Sequence, residues 1–381
     1  MSKYIVKPVF EKETTEMRKV YCETLQQLAR EDNRICVLDA DLVGSSGVKP
    51  FFKEFPDRAI DCGIQESNMV GVAAGMSAAG MVPFVHSFGP FASRRVVDQI
   101  FISCSYAKLN VRIVGTDPGV TAAYNGGTHM PFEDMGTLMS IPQITLVEPT
   151  DTAQLRWLIK ELQNSYGVYY IRMMRKLATG VFEEGSEFDL KKIAVLKEGT
   201  DVAIVASGIM VGEALKAAES LEKQGISAAV LNAFVWKPLD GETLAKYSKQ
   251  CGCVVTAENH NIIGGLGSAV ANSLSRTAPA PVEMVGIEDQ FGEVGTEAFL
   301  RERFDLTAAH IERAAKAAIA RKQKPYIRRF VSYEYQRKGA AGPRAVEGQA
   351  GHLSQVRHHQ QRGTEHRLHP RRCRALSEDP G

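Results

Sequence analysis

Two patterns of hydrophobic and polar residues alternate along this chain. Short apolar runs, among them RICVLDADL (34–42) and VRIVGTD (111–117), predict buried strands. Between such runs, TEMRKVYCETLQQLAR (15–30) and TDTAQLRWLIKELQ (150–163) repeat apolar residues at helical spacing. Strands that alternate with helices are typical of a parallel sheet with helices on both faces. The sequence therefore predicts an α/β fold, whose ligands lie at the carboxyl ends of the strands.

The alternation is interrupted at residues 178–192, where ATGVFEEGSEFDLKK is charged and contains glycine. We interpret this stretch as the boundary between a first domain, residues 1–190, and a smaller α/β domain, residues 191–324, that begins with the strand DVAIVASG. Residues 325–381 follow neither hydrophobic period and hold 11 Lys and Arg against 5 Asp and Glu. That composition predicts a disordered basic tail.

Charge and composition exclude several classes of protein. The net charge is +2, and the chain without its tail is mildly acidic, so we expect no nucleic-acid surface. No apolar run reaches the ~18–20 residues that span a membrane, and the first residues, MSKYIVKPVFEKETTEM, contain no apolar signal core. The seven cysteines are scattered, without metal-ligand spacing, which favours free thiols in a reducing cytoplasm.

The stretch DCGIQESNM (61–69) contains the first candidate for chemistry. Glu66 lies where a strand and turn give way to the small-residue run VGVAAGMSAAGM, which predicts a helix. A carboxylate at a helix start is stabilised by the helix dipole by about 0.3–1 kcal/mol. Glu66 is therefore either a helix-terminal carboxylate or a reactive one. We expect Gly71, Gly75 and Gly80 to let this helix pack closely against its neighbours.

Three further motifs follow in order. They are VPFVHSFGPFASRRVVDQI (82–100), NGGTHMPFED (125–134) and AENHNIIGGLGSAV (257–270). Together with Ile64-Gln65-Glu66, they resemble the pyrimidine-binding domain and the C-terminal domain of the transketolase family. The resemblance covers about residues 10–320. It implies a pyrimidine-binding thiamine-diphosphate fold followed by the smaller C-terminal domain.

The resemblance implies a set of cofactor-binding residues. Thiamine diphosphate is the family's cofactor, and its activation requires a carboxylic acid at the nitrogen of its pyrimidine ring. Glu66 matches that acid, and Ile64 matches the apolar wedge that bends the cofactor. Phe88 and Phe91 match aromatic residues that stack on the pyrimidine. Asp41 matches a residue near the cofactor at the subunit interface.

The resemblance also implies substrate-binding residues. His129 matches a catalytic histidine that bonds the oxygens of the donor sugar and relays protons near neutral pH. Arg18, Ser45 and Arg175 match positions that bind a sugar phosphate.

Two positions depart from the family pattern. Asn125 stands where an acid usually reads a donor hydroxyl, and Asp117 stands where the family has a phosphate-binding histidine. Asp117 would repel a dianionic phosphate. Either the phosphate shifts towards the arginines, or the sugar is an unusual one whose hydroxyl meets Asp117.

The family's G-D-G motif, which holds the diphosphate through Mg²⁺, is missing from this sequence. The resemblance therefore implies one subunit of a split, two-gene transketolase in carbohydrate and pentose phosphate metabolism. We expect it to be active only with an N-terminal-half partner that completes the thiamine diphosphate and Mg²⁺ sites, in a heterotetramer containing a self-dimer of this chain. The alternatives are a 1-deoxyxylulose-5-phosphate synthase-like enzyme, a 2-oxo-acid dehydrogenase β subunit, or a non-catalytic regulatory subunit.

Overall fold

The computed structural model describes residues 3–323, which belong to one compact unit. The predicted disordered tail, residues 325–381, lies outside the described residues. The strands, in chain order, are β1 (Ile35–Asp39), β2 (Ala59–Asp61), β3 (Val82–Phe88), β4 (Val111–Thr116), β5 (Thr145–Val147), β6 (Val168–Met173), β7 (Ala194–Lys197), β8 (Val202–Ala206), β9 (Ala228–Asn232), β10 (Val235–Lys237), β11 (Val254–Asn261) and β12 (Val282–Ile287).

The helices cover both faces of the strands. They are α1 (Met17–Glu31), α2 (Val43–Ser46), α3 (Lys49–Glu54), α4 (Glu66–Ala78), α5 (Gly89–Ala92), α6 (Val97–Gln99), α7 (Asp134–Met139), α8 (Thr152–Asn164), α9 (Met210–Glu222), α10 (Gly241–Cys251), α11 (Leu266–Thr277), α12 (Glu297–Arg303) and α13 (Ala308–Gln323). Within residues 3–323, no helix is long and apolar enough to cross a membrane.

The first six strands form one sheet in the order β5-β6-β4-β3-β1-β2, and all their pairings are parallel. The predicted α/β fold is confirmed. Strands β1, β4 and β6 are buried along their whole length, which explains why they are mostly apolar, although Arg112 of β4 and Arg172 of β6 are buried as well. Because β1, β3, β4 and β6 are neighbours and parallel, their carboxyl ends share one edge of the sheet.

A second sheet follows in the order β12-β11-β8-β9-β7, with only β7 antiparallel to its neighbour. The short strand β10 departs from this arrangement. It belongs to the first sheet, where it pairs antiparallel with β5, with Val235 opposite Val147. The second half of the chain therefore extends the first sheet, which the hydrophobic pattern did not indicate.

Local sequence signals account for several helix boundaries. Helix α8 begins after Asp151, whose side chain caps the helix by accepting a hydrogen bond from the Gln154 N–H. Helix α4 begins at Glu66, as the small-residue run predicted. The expected close packing of α4 through its glycines is wrong within this chain. Gly71, Gly75 and Gly80 are exposed, and a Cβ added to any of them would meet no atom within 4 Å.

A buried guanidinium joins the two halves of the chain. Arg172 on β6 is fully buried. It bonds to Asp134 (Nε to Oδ2, 2.9 Å), to Glu148 (Nη1 to Oε1, 2.6 Å) and to the carbonyls of Pro131 and Asn259 (3.0 and 2.9 Å). Glu148 in turn accepts a bond from Ser207 of the second half at 2.6 Å. Each buried charge is thus paired, which is the condition for burying it.

We expect Arg172→Met to lower the free energy of unfolding by about 3–5 kcal/mol, because it leaves two buried carboxylates without their cation. Urea denaturation measures the change. Arg34→Met is the matched control, since Arg34 pairs with Asp32 at the surface, where such pairs contribute about 0–1 kcal/mol. A loss for Arg172→Met no larger than the control's would mean that this network does not hold the halves together.

Candidate functional site

The residues singled out from the sequence gather at the shared edge of the first sheet. Phe88 ends β3, Asp117 follows β4, and Arg175 lies two residues beyond β6. His129 is on the long connection between β4 and α7. Since these strands are adjacent in the sheet, residues far apart in sequence come together here.

Glu66 is nearly buried, with 3% of its surface exposed. Its Oε1 accepts a hydrogen bond from Arg95 (Nη1, 2.8 Å) and a longer one from Ser87 (Oγ, 3.3 Å). Its second oxygen, Oε2, has no hydrogen-bond partner within residues 3–323. A carboxylate with one oxygen fixed and the other unused is suited to bind a ligand at the unused oxygen.

Three aromatic rings pack together next to Arg95, the ion-pair partner of Glu66. His129 lies edge-on to Phe88 and to Phe91, with ring centroids 5.5 and 5.1 Å apart. The Nδ1 atom of His129 is 2.9 Å from the hydroxyl of Thr128. The guanidinium of Arg95 covers the Phe91 ring at 3.9 Å from its centroid, a cation–π contact.

Two arginines converge at the other end of the site. Arg18 and Arg175 each donate from Nη1 to the carbonyl oxygen of Ser45, at 3.1 and 3.0 Å. Arg175 also pairs with Asp117 and lies 4.9 Å from the centroid of the Phe88 ring. Ser45 takes part through its backbone carbonyl rather than through its hydroxyl.

Helix α2, which carries Ser45, is held by a buried carboxylate. Asp39 at the end of β1 accepts bonds from the Leu42 N–H and from the Ser46 hydroxyl. Burial raises the pKa of Asp39 to about 6. Gly47 has φ +80°, and a Cβ there would lie 3.1 Å from Cγ of Arg18. Glycine at this position therefore leaves room for the stem of Arg18.

These contacts form one continuous line of residues across the sheet edge. It begins at Glu66 and ends at Arg18, and each member contacts the next. The members in order are Glu66, Arg95, Phe91, His129, Phe88, Arg175, Ser45 and Arg18, with Asp117 paired to Arg175.

Three residues predicted from the sequence do not join this line by hydrogen bonds or ion pairs. Asp41 has φ 61°, and its N–H donates to Oδ1 of Asp61 at 3.0 Å. Ile64 is 69% exposed. Asn125 is exposed on the connection between β4 and α7. Their assigned roles toward cofactor and substrate stay predictions.

The sequence analysis missed Arg95. It follows Phe91 by four residues, a spacing that brings side chains together where the chain is helical. That spacing, in an aromatic segment already identified, was the available signal. Only the structure pairs Arg95 with Glu66, which is 29 residues away.

The second half of the chain holds the connection between β4 and α7. Asn259 on β11 accepts from the Val120 N–H at 3.0 Å and donates to the Pro118 carbonyl at 2.8 Å. Gly119 has φ +50°, and a Cβ there would lie 2.1 Å from Oδ1 of Asn259. Gly119 is thus required for this close approach.

Two family models match the chain. The transketolase pyrimidine-binding domain matches residues 13–180, and the transketolase C-terminal domain matches residues 191–311. A 6-deoxy-6-sulfo-D-fructose transketolase subunit of Clostridium sp. (strain MSTE9) is 50% identical over 306 residues, which are 80% of this chain and 95% of that protein. This chain belongs to the transketolase family.

Other family members are similar to this transketolase-family chain. An apulose-4-phosphate transketolase subunit of Phocaeicola vulgatus is 36% identical over 72% of this chain and 88% of that protein. A solved structure described as a split gene transketolase, inactive beta4 tetramer, is 42% identical, with a TM-score of 0.76. It is matched over 81% of this chain and 99% of that chain.

One alternative from the sequence analysis has more distant support. The 1-deoxy-D-xylulose-5-phosphate synthase of Heliobacterium modesticaldum is 35% identical over 78% of this chain, but the match spans only 46% of that enzyme. The subunits of split transketolases match over nearly their whole length. The expected family and fold are therefore confirmed, with the split transketolases as the nearer resemblance.

We expect Asn259→Ala to lower the free energy of local opening of residues 118–131 by about 1–3 kcal/mol, because two buried hydrogen bonds are lost. Hydrogen–deuterium exchange measures the change, since the Val120 amide is itself a donor to Asn259. Asn272→Ala, at an exposed position on α11, is the control. If the Val120 amide exchanges at the same rate in Asn259→Ala as in wild type, other contacts fix this connection.

Proposed function

We propose that this chain is the C-terminal-half subunit of a split, thiamine-diphosphate-dependent transketolase. It transfers a two-carbon ketol unit between sugars that carry an anionic end group. The observation that carries this proposal is the continuous line of residues from Glu66 to Arg18. It brings a carboxylate, aromatic rings, a histidine and two arginines to one edge of the sheet, and these are the groups that such a reaction needs.

The residues around Glu66 fit the ring of the cofactor. The guanidinium of Arg95 is flat and cationic, stacks on Phe91 and donates to Glu66. A pyrimidine ring would stack on Phe91 or Phe88 and would accept the proton of Glu66 at its ring nitrogen. When bound, thiamine diphosphate supplies carbanion chemistry that side chains lack. Glu66 holds the proton at the pyrimidine nitrogen, and exposed Ile64 supplies the apolar wedge.

His129 is the acid–base group toward the donor sugar. Its ring is held between two phenylalanines, and one nitrogen is engaged by Thr128. The other nitrogen, Nε2, makes no hydrogen bond within residues 3–323. It is therefore available to bond a sugar oxygen and to move a proton near neutral pH. Asn125, on the same connection, contacts a donor hydroxyl.

A partner supplies what this sequence lacks. We infer that an N-terminal-half subunit contributes the diphosphate and Mg²⁺ sites, and that Asp41 faces the cofactor at the subunit interface. The open glycine face of α4 and the exposed side chains of Phe101, Ile102 and Tyr106 support a self-dimer within a heterotetramer. The relative described as an inactive beta4 tetramer is consistent with a requirement for the partner.

Several observations favour this function over the alternatives. The two arginines at the end of the line favour sugar substrates over those of a 2-oxo-acid dehydrogenase β subunit. A non-catalytic subunit has no need to keep Glu66 buried near a cluster of aromatic rings. Among the relatives, one acts on 6-deoxy-6-sulfo-D-fructose and another on apulose 4-phosphate. We propose a ketose with a terminal anion as the donor. The six described cysteines are free, which supports a cytoplasmic setting.

We expect the chain alone to neither retain thiamine diphosphate nor transfer a ketol unit. Adding the N-terminal-half subunit and Mg²⁺ should restore both, because the diphosphate then has its ligands. Isothermal titration with the cofactor and a coupled transfer assay measure the two effects separately. Robust turnover by the lone chain at nanomolar concentration would overturn the split-enzyme proposal.

Glu66→Gln should lower the rate of the assembled complex by about 10²–10⁴, the usual contribution of a positioned acid or base. Glutamine keeps the size of the side chain but cannot supply the proton. Glu297→Gln is the matched control, since Glu297 is also the first residue of a helix and also pairs with an arginine.

Activity is not the only readout for Glu66→Gln. NMR of the assembled complex reports the exchange of the proton on the thiazolium ring of the cofactor. The exchange should slow in Glu66→Gln and not in the control. Equal exchange in wild type and variant would mean that Glu66 serves only to start helix α4.

A further inference from the structure

The anion-binding end of the site is electrically balanced before any substrate arrives. Arg175 is paired with Asp117, and Arg18 is paired with Glu16 at 2.7 Å. The two guanidinium groups share the carbonyl of Ser45. Two cations and two carboxylates therefore surround the point where a terminal anion binds.

Asp117 is the member of this group that is fixed most firmly. It is 1% exposed and has φ 57°. Glu16, by contrast, has 38% of its side chain exposed, so water screens its charge. Asp117 lies in a low-dielectric setting and stays beside whatever Arg175 binds, which makes its charge effective over a short distance.

Two polar atoms of this pair have no partner. Oδ1 of Asp117 and Nε of Arg175 are buried and form no hydrogen bond within residues 3–323. An unsatisfied buried donor and acceptor are costly to a folded chain. An oxygen of a bound anion can accept a hydrogen bond from Nε of Arg175, but it cannot satisfy Oδ1 of Asp117, which is itself an acceptor.

We propose that Asp117 selects sugars whose far end carries one negative charge, a sulfonate, over those that carry a phosphate monoester. This inference rests on the proposed function. Both groups are tetrahedral and present three terminal oxygens, but a bridging ester oxygen separates the phosphate from the sugar carbon and the sulfonate lacks it. The comparison of wild type with Asp117→Asn, rather than the preference of wild type alone, therefore reports the effect of charge. A phosphate monoester carries a charge of about −1.5 to −2 at pH 7, and its second charge meets the carboxylate of Asp117. A sulfonate has no second charge.

Other charged groups near this point do not reproduce the selection. Arg18 attracts both kinds of anion, and Glu16 repels both from an exposed position. His129 and Arg175 both contact the Phe88 ring, and a charge on His129, like that of Arg18, attracts both kinds of anion. Asp117 is thus the buried negative charge that, through its ion pair with Arg175, lies next to the bound substrate.

The test compares two donors with the complex assembled from both subunits. The donors are 6-deoxy-6-sulfo-D-fructose and D-fructose 6-phosphate, with uncharged glycolaldehyde as the common acceptor. We expect wild type to prefer the sulfonate in kcat/KM by at least ~10-fold. Asp117→Asn should reduce that preference by about 10–100-fold. Asp305→Asn is the control, because Asp305 is another aspartate with positive φ.

A second measurement varies the pH. The second pKa of a phosphate monoester is about 6, so lowering the pH from about 7.5 to about 5.5 converts it largely to a monoanion. In wild type, KM for the phosphate donor should fall relative to KM for the sulfonate donor over this range. In Asp117→Asn the relative change should shrink. A purely structural role for Asp117 would not produce this difference.

The outcomes separate this inference from the function on which it rests. If the complex transfers no ketol unit from any sugar, the proposed function fails and this inference fails with it. If transfer occurs but the ratio of the two donors is the same in wild type and Asp117→Asn, or does not respond to pH, only the charge selection by Asp117 is overturned.

Discussion

The structure depends on one buried guanidinium. Arg172 has no contact with water, so its donors must all find acceptors inside the protein. They find them in Asp134 and Glu148 of the first half and in the carbonyls of Pro131 and Asn259. Because these acceptors come from both halves of the chain, the pairing fixes the second domain against the first sheet. The connection between β4 and α7, which carries His129, lies between these two parts of the structure.

This constraint explains how the connection that carries the proposed site is held in place. The connection between β4 and α7 consists of turns and two short 3-10 helices, Gly119–Asn125 and Gly127–His129, with Asp117 at its start. Its backbone is held from the second half by Asn259 and closed at its end by Asp134, which also binds Arg172. The elements on both sides of this connection fix its position, which is how sites on loops are commonly held.

The electrostatics of the site follow from the same burial. At one end Glu66 keeps a free oxygen while Arg95 holds the other. At the opposite end each arginine already has a carboxylate, so an incoming anion meets a balanced group rather than an excess of positive charge. An anion that binds there must be accommodated beside the existing carboxylates. The free energy of binding therefore differs more between anions of different charge than it does at a strongly cationic site.

The sequence by itself determined the longer buried strands and amphipathic helices, such as β1, β4, α1 and α8, and the motif residues. Hydrophobic period and capping are local properties, and the four motifs lie within short segments. It did not determine the pairing of β10 with β5, the open glycine face of α4 or the bond between Arg95 and Glu66. It also did not show that Ser45 acts through its carbonyl. These features join or separate residues far apart in the chain, and a one-dimensional pattern carries no distance between such residues. Only the packed tertiary structure decides which buried charges meet.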